Sequence, residues 1–600
     1  MKRFSPYFFI CFIFFLLVLS SAPPQRVFAK TDWISVRSKN FTLIGDAGEK
    51  DIRRAGARLE QFRESIKQIF PKTNLDKPIP TTVYVFSSHS AFRQFKPRRN
   101  GQIVDSVAGF FVEGRENVLI ALTEEQRTAN PYEVIFHEYQ HYVLDNNFDD
   151  PPLWLNEGLA EFYSQFKVEE QKQKVIIGAP IARHVYTLRE RNMIPLRTLF
   201  GVNHRSKEYT ETGKIGIFYA QSWALVHYLM LGNETRRVPQ FTNFLANLNS
   251  GTPVEENFVK SFGVSFEEME KELRNYVGKF RFPVAEYTFT GGQLNVEKEM
   301  QSRPMPEAEK EFELGKLLFH LRELEEAEKR FTKSVALDAN FAPARAWLGL
   351  VLTLRNNLPA AEEHLSQAVR LDANYYLAHV FQGDFFAARQ KPDEAVAAYQ
   401  RAVALSPNSP RNYVSLAYYL SVLGRNEEAS RYYNRAIRLA PREARIFLSS
   451  SSVGLRMRSG MLAALQAQSY LRLQGWDEES SPYAALIAYF GWRIEKRAAD
   501  MNRILKASLE KFDKTSWSYM IFRYLNREIS AEELLKSADN QNKQTEARAY
   551  IGLDLSLDGK TEEALPYFKW VKENGNSSFL EYGYSVAELE RIEKQAATPN

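Results

Sequence analysis

Apolar residues recur at helical spacing over 49–70, at Ile52, Ala55, Leu59, Phe62, Ile66 and Phe70, which predicts a helix there. Before it, residues 33–44 alternate apolar and polar and predict one strand. Residues 81–86 predict another. The runs 107–112 and 117–122 read as a hairpin around Glu113, Gly114 and Arg115. Further on, the spacing turns helical over 131–146, 156–167, 216–231, 238–248 and 265–278. Strands followed by helices predict an α+β domain over 30–290. The charged stretch 167–215, with Gly178, Ala179 and Pro180, reads as a solvated connection or a lid.

From Pro306 the pattern changes to a repeat of 34 residues. Ala327, Ala361, Ala395 and Ala429 fall at that interval, as do Phe331, Leu365, Tyr399 and Tyr433, and Leu337, Leu371, Leu405 and Leu439. Gly315, Gly349, Gly383 and Ala417 hold a small position ahead of each alanine. The spacing resembles that of tetratricopeptide repeats, whose helix pairs stack because each unit leaves an apolar face for its neighbour. The resemblance covers 306–445. A weaker echo at Gly552, Ala564 and Phe568 extends it as degenerate helical repeats over 446–595. The charges of 538–549 read as a solvated helix face.

The chain has 600 residues, 44% apolar and 25% charged, enough for several cores and too apolar for disorder. Its first 29 residues read as a signal peptide. Lys2 and Arg3 precede an apolar run over 7–19, and Val27, Phe28 and Ala29 offer a cleavage site. Cleavage predicts a periplasmic or extracellular protein; an uncleaved segment would anchor it to a membrane. Removing Lys2, Arg3 and Arg26 takes the formal charge from +5 to +2, and nothing in that balance points to nucleic acid. The single cysteine, Cys11, lies in the apolar run, so an exported form has neither disulfide nor thiolate chemistry.

Residues 137–141 read HEYQH. On a helix, His137 and His141 share one face one turn apart and can hold one tetrahedral zinc ion. Glu138 lies about 100° round the helix, placed to reach a water rather than the metal. Asn130, Pro131 and Glu133 supply helix-start signals, with Asn130 as N-cap. A catalytic zinc needs a third protein ligand and an open position. Glu157, in WLNEGLAEF, is the best candidate. Pro151 and Pro152 turn the chain back, Asn156 would cap the second helix, and Glu161 would accept the free N–H of a ligand histidine.

The HExxH helix followed by N-E-G-x-A-E resembles the gluzincin metallopeptidases, which include thermolysin-like and aminopeptidase-N-like enzymes. It is most similar to the peptidase MA-like domains often fused to tetratricopeptide repeats. The resemblance implies a zincin-like fold, one zinc ion per chain on His137, His141 and Glu157, Glu138 as general base, and Glu161 behind the ligands. It implies an endopeptidase acting on protein or peptide substrates. The family also places a tyrosine or histidine on a later helix to stabilise the oxyanion. Tyr219 is the candidate here, with His184, Tyr209 and His227 as competitors.

His227, between Val226 and Tyr228 on an apolar helix, reads better as a core histidine, and His320, His364 and His379 as packing or surface residues of the repeats. The sequence thus predicts an exported zinc metallopeptidase whose repeat solenoid binds a protein partner or the substrate. The rival reading is an envelope scaffold with a vestigial or structural zinc domain.

Overall fold

The computed structural model describes residues 33–597 except 72, 76–80, 100, 106, 108, 114–117, 124, 126–130, 149–150, 205, 212, 249–251 and 291–292. The expected signal peptide, the hairpin tip at Gly114 and Arg115, and the Asn130 cap lie outside the described residues. Among the described residues no helix is long and apolar enough to cross a membrane.

A six-stranded mixed sheet organises the first part of the chain. Its strands are β1 (Ile34–Arg37), β2 (Phe41–Gly45), β3 (Thr81–Phe86), β4 (Gly109–Glu113), β5 (Val118–Thr123) and, far along the chain, β9 (Gln301–Pro304). The order is β9-β1-β2-β3-β5-β4. β2, β3 and β5 run parallel; β4 closes one edge and β9 the other, both antiparallel to their neighbours. The stretch 33–44 is therefore two strands rather than one, turning at Ser38 to pair Val36 with Leu43. Helix α1 (Glu49–Ile69) makes the crossover from β2 to β3 and buries Ile52, Leu59, Phe62 and Ile66. A three-stranded sheet, β8-β7-β6, is built from β6 (Lys167–Glu169), β7 (Lys174–Ile177) and β8 (Ala285–Thr288). The stretch 167–215 thus contributes strands and short helices, not a plain solvated connection.

Alternation along the strands sends side chains to two different cores. Val83 and Val85 face α1 and the helices that follow, together with Leu43 and Ile120. Tyr84 and Phe86, with Ile44 and Leu119, join Phe312, Leu314 and Leu317 of the first repeat helix. Both faces of the sheet are covered, which is why β5 reads as an unbroken apolar run, VLIALT, buried throughout. Tyr84 Oη lies 3.1 Å from Glu313 Oε2, and Arg98 pairs with Glu323 at 2.9 Å. The expected boundary at 290 falls too early: β9 belongs to the sheet, and the first repeat forms its back layer.

From Glu307–His320 to Leu580–Ala597 the chain is a run of packed helices, most of them in antiparallel pairs. A Cβ on Gly315 would sit 2.6 Å from Phe331, on Gly349 2.5 Å from Leu365, and on Gly383 2.6 Å from Tyr399. The small position is where the two helices of a unit touch. Gly552 and Phe568 repeat the contact at 2.6 Å, so the echo near the C-terminus is a structural repeat. The intervening helices also pack, around Ala463, Ala484, Phe490 and Tyr550. One charge on the predicted solvated face is misplaced: Glu546 is 4% exposed, receiving the Trp517 Nε1–H at 3.0 Å.

Candidate metal centre

Helix α2 (Pro131–Asp145) carries HEYQH, and α3 (Leu153–Ser164) carries WLNEGLAEF. The first is anchored through its apolar side, where Phe136 stacks on Phe62 at 4.6 Å and Arg63 donates to Tyr139 Oη at 2.9 Å. Trp154, fully buried against Phe200, fixes the second. Pro152 is its N-cap, so α3 begins at Leu153, earlier than the predicted 156. Asn156 is not a cap but an internal residue of the helix.

The two helices bring His137, His141 and Glu157 together. His137 Nε2 and His141 Nε2 are 3.1 Å apart, and Glu157 Oε2 lies 3.5 Å from the first and 3.6 Å from the second. A tetrahedral zinc ion with bonds of about 2.1 Å spaces its ligand atoms about 3.4 Å apart. Glu157 is 5% exposed, and its Oε2, aimed between the two rings, is buried without a hydrogen-bond partner. A buried orphan of that kind is costly unless something fills the space. The three residues therefore fit a divalent ion. The helix that carries Glu157 approaches its neighbour closely: a Cβ on Gly158 would lie 2.6 Å from Ser222 O. Gly158 lets α3 approach the later apolar helix that bears Tyr219.

Around the three ligand atoms, the partners differ from expectation. Asn156 Oδ1 lies 2.7 Å from His141 Nδ1. An amide oxygen only accepts, so the proton sits on Nδ1 and the Nε2 lone pair faces Glu157. Glu161 was expected to do this for a ligand histidine, but its Oε1 is 3.9 Å from His137 Nδ1, beyond a hydrogen bond. Glu161 instead faces helix α4 (Ala182–Glu190), where Arg183 donates to it at 3.0 Å and His184 Nε2 lies 3.2 Å away. Burial works against its charge, but His184, His137 and Arg183 outweigh that and hold its pKa near 2. Glu161 is thus a fixed negative charge behind His137.

Glu157 Oε1 accepts from Tyr209 at 3.1 Å, on the short helix α5 (Lys207–Thr210). Tyr219, on α6 (Ile215–Leu231), lies with its hydroxyl 3.5 Å from that of Tyr209. The structure brings both tyrosines to the site. Burial, then the Glu157 charge, pushes the Tyr219 hydroxyl far above its ordinary pKa, so it remains an O–H donor. Burial also opposes protonation of His137, yet Glu157, Glu161 and Glu138 win and its pKa rises. Glu157 moves down: burial opposes its charge, but the contact with His137 and the neighbouring imidazole of His141 overcome it. Glu138 is half-buried on α2 beside the ligands.

His227 stays out of the site. It is fully buried, with Gly178 O at 2.9 Å from Nε2 and Tyr276 Oη at 2.8 Å from Nδ1, and burial lowers its pKa to about 4. The residues that sequence reasoning missed are Asn156 as a partner of His141 and Arg183 as a partner of Glu161. Asn156 was legible as a polar residue next to Glu157, but a helix starting at 156 made it a cap; with the start at Leu153 it is an internal residue.

Tetratricopeptide repeat models match residues 312–376, 355–410 and 410–443, so this stretch carries tetratricopeptide repeats. A family described as "Protein of unknown function (DUF1570)" matches residues 132–255, which include His137, His141, Glu157, Tyr209 and Tyr219. No curated protein matches the chain. Among solved structures, pilF of Pseudomonas aeruginosa is 17% identical, covering 36% of this chain and 97% of its own, with a TM-score of 0.32. PilW, a type IV pilus biogenesis factor, is 14% identical over 35% of this chain and 96% of its own, with a TM-score of 0.31. YrrB, a repeat protein with an unusual peptide-binding site, is 21% identical over 30% and 91%, with a TM-score of 0.26.

Proposed function

We propose that the chain is an exported zinc-dependent metallopeptidase whose tetratricopeptide repeats bind a protein partner or the substrate. The observation that carries the reading is the trio of ligand atoms spaced 3.1, 3.5 and 3.6 Å apart around an orphaned carboxylate oxygen. A zinc ion held there supplies a Lewis acid for a scissile carbonyl and makes water a nucleophile near neutral pH.

The protein's own residues supply the remaining work. Glu138 is the general base that takes a proton from the attacking water and returns it to the leaving amine. The Tyr219 hydroxyl, kept protonated by burial and by Glu157, is the donor for charge that develops on the carbonyl oxygen, while Tyr209 holds Glu157. Asn156 orients His141, and the Glu161 charge favours a cation beside His137. The outer edge of β4, next to α2 and, among the described residues, paired with β5 alone, offers backbone groups to an extended peptide.

The test is a comparison of wild type with Glu138→Gln on an unfolded protein substrate. The variant is expected to keep its metal and lose cleavage. A second reading, a binding scaffold whose metal centre is structural, is favoured by the repeat matches over 312–443. It predicts equal inertness of both proteins over a broad substrate panel.

A further inference from the structure

The loop that delivers Tyr209 to the metal centre touches the far half of the repeat array. Asn203 Nδ2 donates to Asp477 Oδ2 at 3.1 Å, across 274 residues of sequence. Asp477 lies in the turn between the helices Gly460–Gln474 and Ser481–Ile494, well past the repeats that cover the sheet. Asn203 is in turn closed onto Ser206 in both directions. Its backbone N–H donates to Ser206 Oγ at 2.9 Å, and Ser206 Oγ donates to Asn203 Oδ1 at 3.1 Å.

Ser206 is the N-cap of α5, and the Tyr209 N–H reaches back to Ser206 O at 3.0 Å. Tyr209 Oη then donates to Glu157 Oε1 at 3.1 Å. The Tyr209 ring packs against Phe218, Tyr219 and the His204 ring, at 5.6, 6.2 and 5.3 Å between centroids. A four-residue helix has little cohesion of its own, so its position depends on what holds its ends.

We propose that Asp477 is a positioning residue of the metal centre: through Asn203 and Ser206, the repeat array fixes Tyr209 on Glu157. The inference rests on the metallopeptidase reading for its meaning, but not for its geometry. It makes the array more than a docking surface. A polypeptide that seats on the array and draws the 475–480 turn away would release Tyr209, and loading of the centre would be felt at that turn, because coupling between two sites is reciprocal.

The experiment uses the full chain and reads Tyr209 first without metal. Nitration by tetranitromethane, mapped by mass spectrometry, is expected to rise severalfold at Tyr209 in Asp477→Ala and in Ser206→Ala. Amide exchange over 206–211 should quicken in parallel. Asp477→Asn keeps a carbonyl acceptor for Asn203 and is expected to behave as wild type. Tyr186, 67% exposed, is the internal control whose nitration stays constant. Tyr209 nitration in Asp477→Ala equal to wild type overturns the proposal, as does failure of Asp477→Asn to restore protection. A second arm adds Co²⁺: the visible band of the wild-type protein is expected to shift in Asp477→Ala and not in Asp477→Asn. A wild type that takes up no Co²⁺ refutes the metal-centre reading, while Tyr209 nitration still decides the role of Asp477.

Discussion

Asn156 Oδ1 accepts the Nδ1 proton of His141 at 2.7 Å, one helix fixing the tautomer of an imidazole on another. Partners of this kind typically set metal affinity within a factor of about 10–100. Asn156→Ala is therefore expected to weaken zinc binding by about that factor, measured by competition with a chromogenic chelator. Asn156→Asp, which keeps an acceptor, is expected to stay near wild type. Equal affinity in the alanine variant would remove Asn156 from the centre.

Gly158 is where α3 and α6 meet, with Ser222 O 2.6 Å from the place a Cβ would occupy. Gly158→Ala must push the Glu157 helix away from the Tyr219 helix. Overpacking of this size costs about 1–3 kcal/mol. We expect a lower melting temperature together with reduced zinc occupancy. A stable variant with full occupancy would show that the close approach is dispensable.

The buried imidazole of His227 gives the mixed sheet-and-helix region an acid limit. Its folded pKa of about 4 lies below the ordinary 6.5, so the unfolded chain binds the extra proton between those values. Stability from this group is present above pH 6.5 and is lost as pH falls toward 4, on the order of 3 kcal/mol in all. Hydrogen exchange over 215–231 should accelerate across that window. His227→Phe, although less stable at pH 7.5, should show a shallower dependence; an unchanged slope would exonerate His227.

The repeat array carries the opposite sign. Burial, then the nearby Glu581 charge, raises the Glu546 pKa to about 8, so this carboxyl is mostly protonated at neutral pH in the folded chain. Its contribution is fully present below pH 4.5 and disappears as pH rises through 8. Unfolding of the helices around Trp517 and Tyr483, followed by exchange over 541–557, should therefore become easier from pH 6 to 9. Glu546→Gln is expected to flatten that trend, and an identical profile in the variant would contradict it.

The clustering of His137, His141 and Glu157 was legible because its geometry is local. His137 and His141 share a helix face by spacing alone, and Glu157 follows after a proline break that forces the chain back. Contacts between distant segments were not readable. Nothing in 301–304 announces an edge strand, since QSRP lacks apolar alternation and joins the sheet by backbone pairing with β1. Nor did Asp477 signal its contact with Asn203. The repeats show how a pattern fades while a structure persists. Left-handed turn residues recur at Arg322, Asn356, Gln390, Gly424 and Arg458, each 34 further on, and then at Lys496, Arg527 and Gly559 at uneven steps. Beyond Arg458 the units differ in length, so a fixed period misses them although their helices still pack. Glu161 was misjudged for another reason: its true partners, Arg183 and His184, come from a segment with no legible helical pattern.

If His137, His141 and Glu157 hold one zinc ion, metal content measured on the purified full chain reveals it. We predict about one zinc per chain in the wild type and loss of it in Glu157→Ala, with the fold intact by circular dichroism. Zinc absent from the wild type after reconstitution, or retained at the same stoichiometry and affinity by Glu157→Ala, would contradict the account.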